Sequence, residues 1–180
     1  YRIFQEALTN AIRHSGATKL ALDVLSREGH AQAAFDLVRQ EAFPGWGHML
    51  ASGATTLWEH WAGSDDTYSH NHPMFGSVSQ WFYQWLGGIQ PAPDAEGFDR
   101  IVIRPQAVKG LDFVRSSYAS VRGRIVSDWS RRAATLEWQI TIPANTTATI
   151  YLPSAALDDV REGQGDGVPA RSAKGVRHAR

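Results

Sequence analysis

The spacing of apolar residues changes once along this chain, near residue 90, and that change limits what the chain can fold into. Before it, apolar side chains recur at helical spacing, most clearly over residues 74–86, and the pattern stops at Gly87 and Gly88. After it, apolar and polar residues alternate, as over residues 135–142. The sequence therefore predicts an α+β chain in which helices come first and short strands follow.

This change divides the chain into five predicted segments. Residues 1–19 form an N-terminal helix, and residues 20–90 carry further helices. Residues 91–97 are rich in proline and polar residues and predict a linker. Residues 98–160 predict a small antiparallel β-sandwich, because the expected strands are short and closely spaced. Residues 161–180 are glycine-rich and basic with almost no apolar face, so they predict a disordered tail.

Within the predicted sandwich, a turn signal at residues 143–145 separates two alternating runs, 135–142 and 147–152. The pattern predicts that these two runs form a hairpin. Four large apolar residues are expected to point largely inward: Trp129, Trp138, Ile140 and Ile150.

Composition excludes several classes of protein. The formal net charge of the 180 residues is +0, which provides no field to attract nucleic acid or an anionic membrane. There is no cysteine, so neither a disulfide framework nor a thiolate metal site is expected. No apolar run approaches the roughly 20 residues that span a bilayer. The first residues lack the pattern of a signal peptide, which predicts a cytoplasmic location.

The most informative motif lies in the tryptophan-rich stretch between residues 43 and 88. There Glu59 stands between Trp58 and Trp61, and two histidines, His70 and His72, follow about ten residues later. A carboxylate and an imidazole beside flat aromatic rings suit a sugar, whose C–H faces stack on the rings. The stretch therefore predicts a carbohydrate site with aromatic walls from Trp58 and Trp61.

Several motifs carry a resemblance to a known family. They lie, in order, at residues 23–29 (DVLSREG), 43–50 (FPGWGHML), 53–61 (GATTLWEHW), 69–76 (SHNHPMFG), 80–87 (QWFYQWLG) and 117–123 (SYASVRG). Through them, residues from about 20 to 153 resemble the C-terminal part of bacterial α-L-rhamnosidases of glycoside hydrolase family 78. The resemblance implies the last helices of an (α/α)6 barrel followed by a β-sandwich. It also implies hydrolysis of terminal rhamnosyl groups with inversion, and a rhamnose-containing carbohydrate as the partner.

The resemblance also implies roles for single residues. Glu59 corresponds to the general base, and His72 corresponds to a residue that contacts the sugar. An inverting enzyme needs a second carboxyl as general acid, about 6.5–9.5 Å from the base. No segment of this chain resembles the part of the family that holds that acid. The chain is therefore expected to be a fragment that is inactive when isolated.

Other interpretations stay open at this point. An aromatic platform beside a β-sandwich is also compatible with a carbohydrate-binding or structural module without catalysis. Residues 1–17 resemble the N-box helix of sensor histidine kinases, in which the residues matching Glu6 and Asn10 lie one turn apart on one face near the magnesium and phosphates. This resemblance leaves a remnant of an ATP-binding domain as a remote alternative. The His70-x-His72 pair is a weak metal signal, so no metal and no cofactor are predicted. The sequence does not predict the oligomeric state.

Overall fold

The structure is a computed structural model, and it describes residues 18–63, 68–154, 157–163 and 167–176. It divides into two compact units, Tyr1–Ile150 and Tyr151–Arg180. Over the described residues, no helix has the length and apolar character needed to cross a membrane. The predicted N-terminal helix, with Glu6 and Asn10, lies almost entirely outside the described residues, which begin at residue 18.

Short helices fill the first part of unit one. They are α1 (Thr18–Arg27), α2 (Ala31–Val38), α3 (Trp46–Ala51), α4 (Pro73–Gly76) and α5 (Val78–Trp81), followed by a π-helical turn (Phe82–Leu86). Their buried side chains form one apolar core, which α1 and α2 enter through residues such as Leu22, Leu25 and Ala34. The helical spacing before residue 87 therefore marks core-facing positions, as predicted.

Glycine sets the ends of two of these helices. After α1, Gly29 has a φ of +83°, and the amides of Gly29 and His30 donate to the carbonyls of Ser26 and Leu25. This is the hydrogen-bond pattern of a Schellman motif, which glycine favours because it adopts positive φ without steric cost. Gly29 therefore ends α1, and α2 starts two residues later, at Ala31. Gly53 ends α3 in the same way.

The helix expected over residues 73–86 is present but divided. Pro73 occupies its first turn, as predicted, because proline lacks the amide that would have no partner there. The Ser77 hydroxyl then donates to the Met74 carbonyl at 2.8 Å and separates α4 from α5. The turn over Phe82–Leu86 widens to a π-helix, which the Gly87 amide closes on the Phe82 carbonyl at 2.8 Å.

The strands of unit one form two three-stranded sheets. They are β1 (Ile89–Pro91), β2 (Arg100–Ile103), β3 (Phe113–Ser120), β4 (Gly123–Arg132), β5 (Thr135–Thr141) and β6 (Thr147–Ile150). In one sheet, the central strand β2 pairs antiparallel with β1 and parallel with β6. In the other, β4 lies between β3 and β5 in an antiparallel meander, with Trp129 opposite Trp138.

The hairpin predicted around residues 143–145 is wrong. The turn is present, since Asn145 has a φ of +59° and the Thr146 hydroxyl donates to the Pro143 carbonyl at 2.6 Å. However, β5 pairs with β4, whereas β6 pairs parallel with β2, with Arg100 opposite Thr147. The turn reverses the chain and moves it from one sheet to the other. The predicted sandwich is therefore mixed rather than fully antiparallel.

A shared core joins the faces of the two sheets. Ile89, Ile101 and Ile103 of one sheet cluster with Ile125 of the other, and Trp138 and Ile140 pack against them. Trp129 is buried as predicted, but Ile150 is 40% exposed, so its inward orientation was wrongly predicted. Ile150 is the last residue of β6, which is an outer strand of its sheet, and this position leaves its side chain open to solvent.

The segment predicted as a linker is part of the sheet region. Its first residue belongs to β1, and Ala92 continues the pairing by donating to the Arg100 carbonyl at 3.0 Å. The turn that follows is held by Asp99, whose carboxylate accepts the amides of Glu96 and Arg100, each at 2.8 Å. The Glu96 amide is the main reason that the pKa of Asp99 lies below its ordinary value. Proline and polar residues here form an ordered turn, not a spacer.

An indole framework connects helices and sheets. We use this name for five tryptophans whose indole N–H groups each donate to a protein oxygen at 2.9–3.2 Å. The pairs are Trp46 with the Phe75 carbonyl, Trp81 with Ser26, Trp85 with Asp23, Trp129 with the Leu86 carbonyl and Trp138 with Ser127. The Ser127 hydroxyl donates onward to the Gly87 carbonyl at 2.6 Å. Trp81 and Trp85 are core residues, as predicted.

Unit two corrects the predicted disordered tail. Its described residues contain β7 (Arg161–Glu162) paired antiparallel with β8 (Val168–Pro169), and 3-10 turns at Leu157–Asp159 and Ala170–Ser172. Gly163 and Gly167 have positive φ, which lets the chain reverse between the two strands. Arg171 also forms an ion pair with Asp158 at 3.4 Å. Part of the segment predicted to be disordered therefore forms paired strands among the described residues.

Candidate functional site

The segment that carries Glu59 folds back on the segment that carries His72. The Glu59 amide donates to the Ser69 carbonyl and the His72 amide donates to the Leu57 carbonyl, both at 2.8 Å. We call residues 57–59 and 69–72 the ribbon. It joins the segments that hold the two polar residues predicted for the site, Glu59 and His72. Residues 64–67, which connect its two sides, lie outside the described residues.

Glu59 is half-buried and is held by a backbone group. One carboxylate oxygen, Oε2, accepts the Ser69 amide at 2.9 Å. Because the Glu59 amide donates to the carbonyl of that same residue, Glu59 and Ser69 hold each other at two points. The other oxygen, Oε1, makes no hydrogen bond to any residue that the structure describes. This arrangement fixes the carboxylate and leaves one oxygen able to accept a proton.

His72 is half-buried and occupies the N-cap position of α4. Its backbone is extended, with φ of −124° and ψ of 133°, and Pro73 follows as the first helical residue. Its ring nitrogen Nδ1 accepts the Met74 amide at 3.2 Å. The imidazole therefore satisfies an amide of the first turn, the role that a serine or aspartate has in most helices. Residue types alone did not reveal this cap or the hydrogen bond from the Ser69 amide to Glu59, although proline at residue 73 was a signal for the cap.

The two tryptophans predicted as walls are mostly enclosed by protein. Trp61 is only 3% exposed and packs on Phe75 with ring centroids 3.9 Å apart. Trp58 is 9% exposed, lies against Gly63 and faces the His70 ring at 5.6 Å. Trp61 is thus a core residue rather than an open platform, because its neighbours occupy the space in which a sugar would stack. Trp58 can offer a ligand only its small exposed part.

His60 and His70, the other two histidines of residues 57–72, make different contacts. His60 is exposed, stacks on the Tyr68 ring at 5.0 Å and accepts the Ala62 amide through Nδ1 at 3.3 Å. His70 faces Trp58. Over the described residues, no group of three or more acidic or imidazole side chains is arranged to hold a metal ion.

Two family models match the chain in succession. The bacterial α-L-rhamnosidase 6 hairpin glycosidase domain matches residues 7–86, and the bacterial α-L-rhamnosidase C-terminal domain matches residues 88–166. The matches meet at Gly87, where helical and strand regions join. The first begins at residue 7, so it includes part of the segment that resembles a kinase helix. The second extends into the region predicted as a tail.

Individual proteins give the same result. An α-L-rhamnosidase of Streptomyces avermitilis is 33% identical over an alignment 161 residues long, which covers 85% of this chain and 15% of that protein. One of Alteromonas sp. is 29% identical over an alignment 168 residues long, which covers 89% of this chain and 18% of that protein. The chain thus spans less than a fifth of the length of these curated relatives.

Solved structures extend the likeness to three dimensions. The crystal structure of the Streptomyces avermitilis α-L-rhamnosidase complexed with L-rhamnose aligns with a TM-score of 0.73 at 31% identity, over 82% of this chain and 16% of that one. The native enzyme from Aspergillus terreus aligns with a TM-score of 0.68 at 29% identity, over 76% of this chain and 17% of that one.

Proposed function

Since the chain belongs to the bacterial α-L-rhamnosidase family, we propose that it contributes the general base of an inverting hydrolysis of terminal α-L-rhamnosyl groups. Glu59 is the proposed base. The family places the chain among the glycoside hydrolases. The inverting course, the role of Glu59 and the (α/α)6 barrel around the helices are parts of this proposal.

The observation that supports Glu59 as the base is that its two carboxylate oxygens differ in their contacts. Oε2 is held by the Ser69 amide, so the carboxylate cannot rotate without losing that bond. Oε1 can then take a proton from an attacking water, which is what a general base does in inversion. A half-buried position also suits the task, because a base must contact water while its orientation stays fixed.

The second carboxyl is proposed to come from outside the 180 residues. An inverting pair stands about 6.5–9.5 Å apart, so that a water fits between the base and the sugar. The chain spans 15–18% of its curated relatives, and none of its segments resembles the acid-bearing part of the family. We therefore expect the isolated chain to release no aryl group from an aryl α-L-rhamnoside, because the leaving oxygen would lack a proton donor.

We further propose that the ligand is a rhamnose-containing carbohydrate and that His72 contacts it. Trp58 can contribute the small part of its ring that is exposed. Trp61 is buried and contributes only indirectly, by packing on Phe75. This assignment revises the predicted pair of aromatic walls. The cytoplasmic location and the absence of a nucleic-acid or membrane partner stay predictions from the sequence.

A hybrid enzyme tests the role of Glu59. In this hybrid, the chain replaces the segment of the Streptomyces avermitilis α-L-rhamnosidase that aligns with it, about 15% of that protein. We expect the hybrid to hydrolyse an aryl α-L-rhamnoside and Glu59→Gln to lower kcat by about 10²–10⁴-fold. Glutamine keeps the shape of the side chain and can still accept the Ser69 amide, but it cannot take the proton. Proton NMR of the first product should show the β-anomer, which reports inversion.

The matched control is Glu28→Gln in the same hybrid. Glu28 is an exposed carboxylate just after α1, so its replacement should leave kcat unchanged. Circular dichroism should show that all three hybrids fold alike. Full activity of the folded Glu59→Gln hybrid would rule out the role of Glu59, and the α-anomer as first product would rule out inversion.

A further inference from the structure

From the hydrogen bonds of the ribbon, we infer that Ser69 is a positioning residue for Glu59. Its backbone binds both the main chain and the carboxylate of Glu59, and its hydroxyl fixes that backbone by accepting the Asn71 amide. The consequence for turnover rests on the proposed function. The hold on the carboxylate rests on the contacts of the chain alone.

Ser69 binds Glu59 at its main chain and at its carboxylate. The Ser69 carbonyl accepts the Glu59 amide at 2.8 Å, and the Ser69 amide donates to Oε2 of Glu59 at 2.9 Å. These two bonds close a ring that runs through the whole side chain of Glu59. The place of the carboxylate relative to its own main chain is therefore set by two groups of one residue.

The Ser69 hydroxyl fixes one of these two groups. Its oxygen accepts the Asn71 amide at 3.1 Å, which is the hydrogen bond of an ST turn. The turn closes across the peptide group between residues 69 and 70, and this peptide group contains the carbonyl that accepts the Glu59 amide. Rotation of the peptide group would break both bonds. The hydroxyl therefore keeps the carbonyl directed at Glu59.

Local bonds matter here because residues 69–72 are irregular. A backbone outside helices and strands has more conformations to lose, so each must be excluded by a specific contact. The Thr56 hydroxyl donates to the His70 carbonyl, and the Leu57 carbonyl accepts the His72 amide, so two contacts come from the preceding segment. The turn at Ser69 adds a contact at the residue that binds Glu59.

Exposure separates a positioning role from a purely structural one. Ser69 and Asn71 are both exposed, so removing the hydroxyl leaves neither a cavity nor a buried group without a partner. Stability should therefore change little. Turnover should change more, because a general base must stay within hydrogen-bond reach of the attacking water, and a small displacement of a reacting group lowers the rate steeply.

Ser120 provides a matched control for the turn. Its hydroxyl also accepts the amide two residues later, that of Arg122, at 3.1 Å. Ser120 ends β3, and its hydroxyl donates onward to the Gly123 carbonyl at 2.8 Å. The two serines share one local hydrogen bond, and of the two only Ser69 also binds Glu59.

The kinetic experiment compares Ser69→Thr with Ser69→Val in the hybrid enzyme. Threonine and valine are both β-branched and have nearly the same shape, but only threonine keeps the hydroxyl. With an aryl α-L-rhamnoside, Ser69→Thr should keep kcat within about 2-fold of the parent, whereas Ser69→Val should lower kcat by about 5- to 30-fold and leave KM within about 2-fold. Ser120→Thr and Ser120→Val should differ by less than about 2-fold in both constants.

A second experiment follows the bond itself in the chain of 180 residues. The protection factor of the amide at residue 69, from hydrogen exchange followed by NMR, should be about 5- to 10-fold higher in Ser69→Thr than in Ser69→Val. When Glu59→Ala is combined with each substitution, the acceptor is absent and the difference should shrink below about 2-fold. The Tm values of Ser69→Thr and Ser69→Val should agree within about 2 °C.

The outcomes separate this inference from the proposed function. Equal kcat in the Ser69→Thr and Ser69→Val hybrids, or a change in KM alone, would overturn the positioning role, and a joint loss of kcat and stability would make the role structural. A protection factor that did not depend on Glu59 would overturn the hold on the carboxylate. If the Glu59→Gln hybrid kept full activity, the proposed function and the kinetic part would fail, whereas the difference in protection would still support the hold.

Discussion

The indole framework and the ribbon use polar atoms in opposite ways. In the framework, each indole N–H donates to a protein oxygen, and large rings such as Trp81 are fully buried. In the ribbon, Glu59 and His72 each bind a backbone amide with one atom and keep a second atom uncommitted among the described residues. The framework therefore supplies stability, because buried polar groups are satisfied internally, whereas the ribbon is suited to bind something else.

This contrast changes what the density of tryptophans means. Many tryptophans near a carboxylate suggested sugar-stacking walls, but Trp61 serves the core and Trp58 is nearly enclosed. The informative residues are the smaller polar ones, Glu59 and His72. A site next to a rigid aromatic core gains a fixed geometry from that core without using its rings as the binding surface.

The largest effect that would sharpen the comparison is expected at Trp81. Trp81→Ala should lower the free energy of unfolding by about 3–5 kcal/mol, because it leaves a large cavity. It also removes the indole N–H that donates to the Ser26 hydroxyl. Urea unfolding followed by circular dichroism measures this change. The neighbouring Tyr83→Ala is the control, with an expected loss of about 1 kcal/mol or less, since Tyr83 is 43% exposed and Trp81 is fully buried. Equal losses at both residues would contradict the framework.

An intermediate effect is expected at Gly87, where the framework leaves no room for a side chain. A Cβ there would lie 2.5 Å from the Ser116 hydroxyl and 3.0 Å from the Tyr83 carbonyl. Gly87→Ala should therefore cost about 1–3 kcal/mol in the same urea experiment. Part of this cost should disappear when Ser116→Ala is combined with it, because that hydroxyl is buried without a partner among the described residues. A cost that stays the same in both backgrounds would show that the hydroxyl is not the obstacle.

The smallest effect on stability is expected at Asp99. Its carboxylate accepts two backbone amides, whereas that of Glu59 accepts one. The Glu96 amide, and then that of Arg100, hold its pKa below the ordinary value of 3.8 in the folded state. A lowered folded pKa stabilises the fold above the unfolded pKa, and this contribution is lost as the pH falls through the folded value. Asp99→Asn should thus be slightly less stable at neutral pH and lose less stability below about pH 4.

Thermal melting of both proteins between neutral pH and pH 3 tests this expectation for Asp99. Since Asp99 is open to solvent, the difference should shrink in high salt to the part supplied by the backbone amides. Parallel Tm curves over the whole pH range would contradict it.

Local patterns predicted part of this molecule and missed what depends on distant partners. Helical spacing correctly placed Trp81 and Trp85 in the core, because a stripe on one helix face must be covered. The polar turn before β6 correctly marked a change of direction, but it could not show that β6 pairs with β2 instead of β5. Glycines at residues 163 and 167 suggested disorder, although each adopts a positive φ beside the paired strands β7 and β8.

For the candidate site, the sequence could select residues but not their contacts. Glu59 and His72 were selected through the family resemblance, and the structure shows the ribbon that brings their backbones together. The hydrogen bond from the Ser69 amide to Glu59 could not be predicted, because its donor is a backbone amide that any residue except proline would supply. The burial of Trp61 also escaped prediction, since residues 57–61 show no regular spacing that would assign a ring to one face.

The parallel pairing of β2 with β6 has a consequence for the order of events during synthesis. β2 leaves the ribosome more than 40 residues before β6, and until then one of its edges carries unpaired amides and carbonyls. The meander β3–β4–β5 can form in this interval, because its strands are consecutive in the chain. The second edge of β2 therefore stays unpaired until β6 is synthesised. During this interval the nascent chain is most exposed to pairing with another copy.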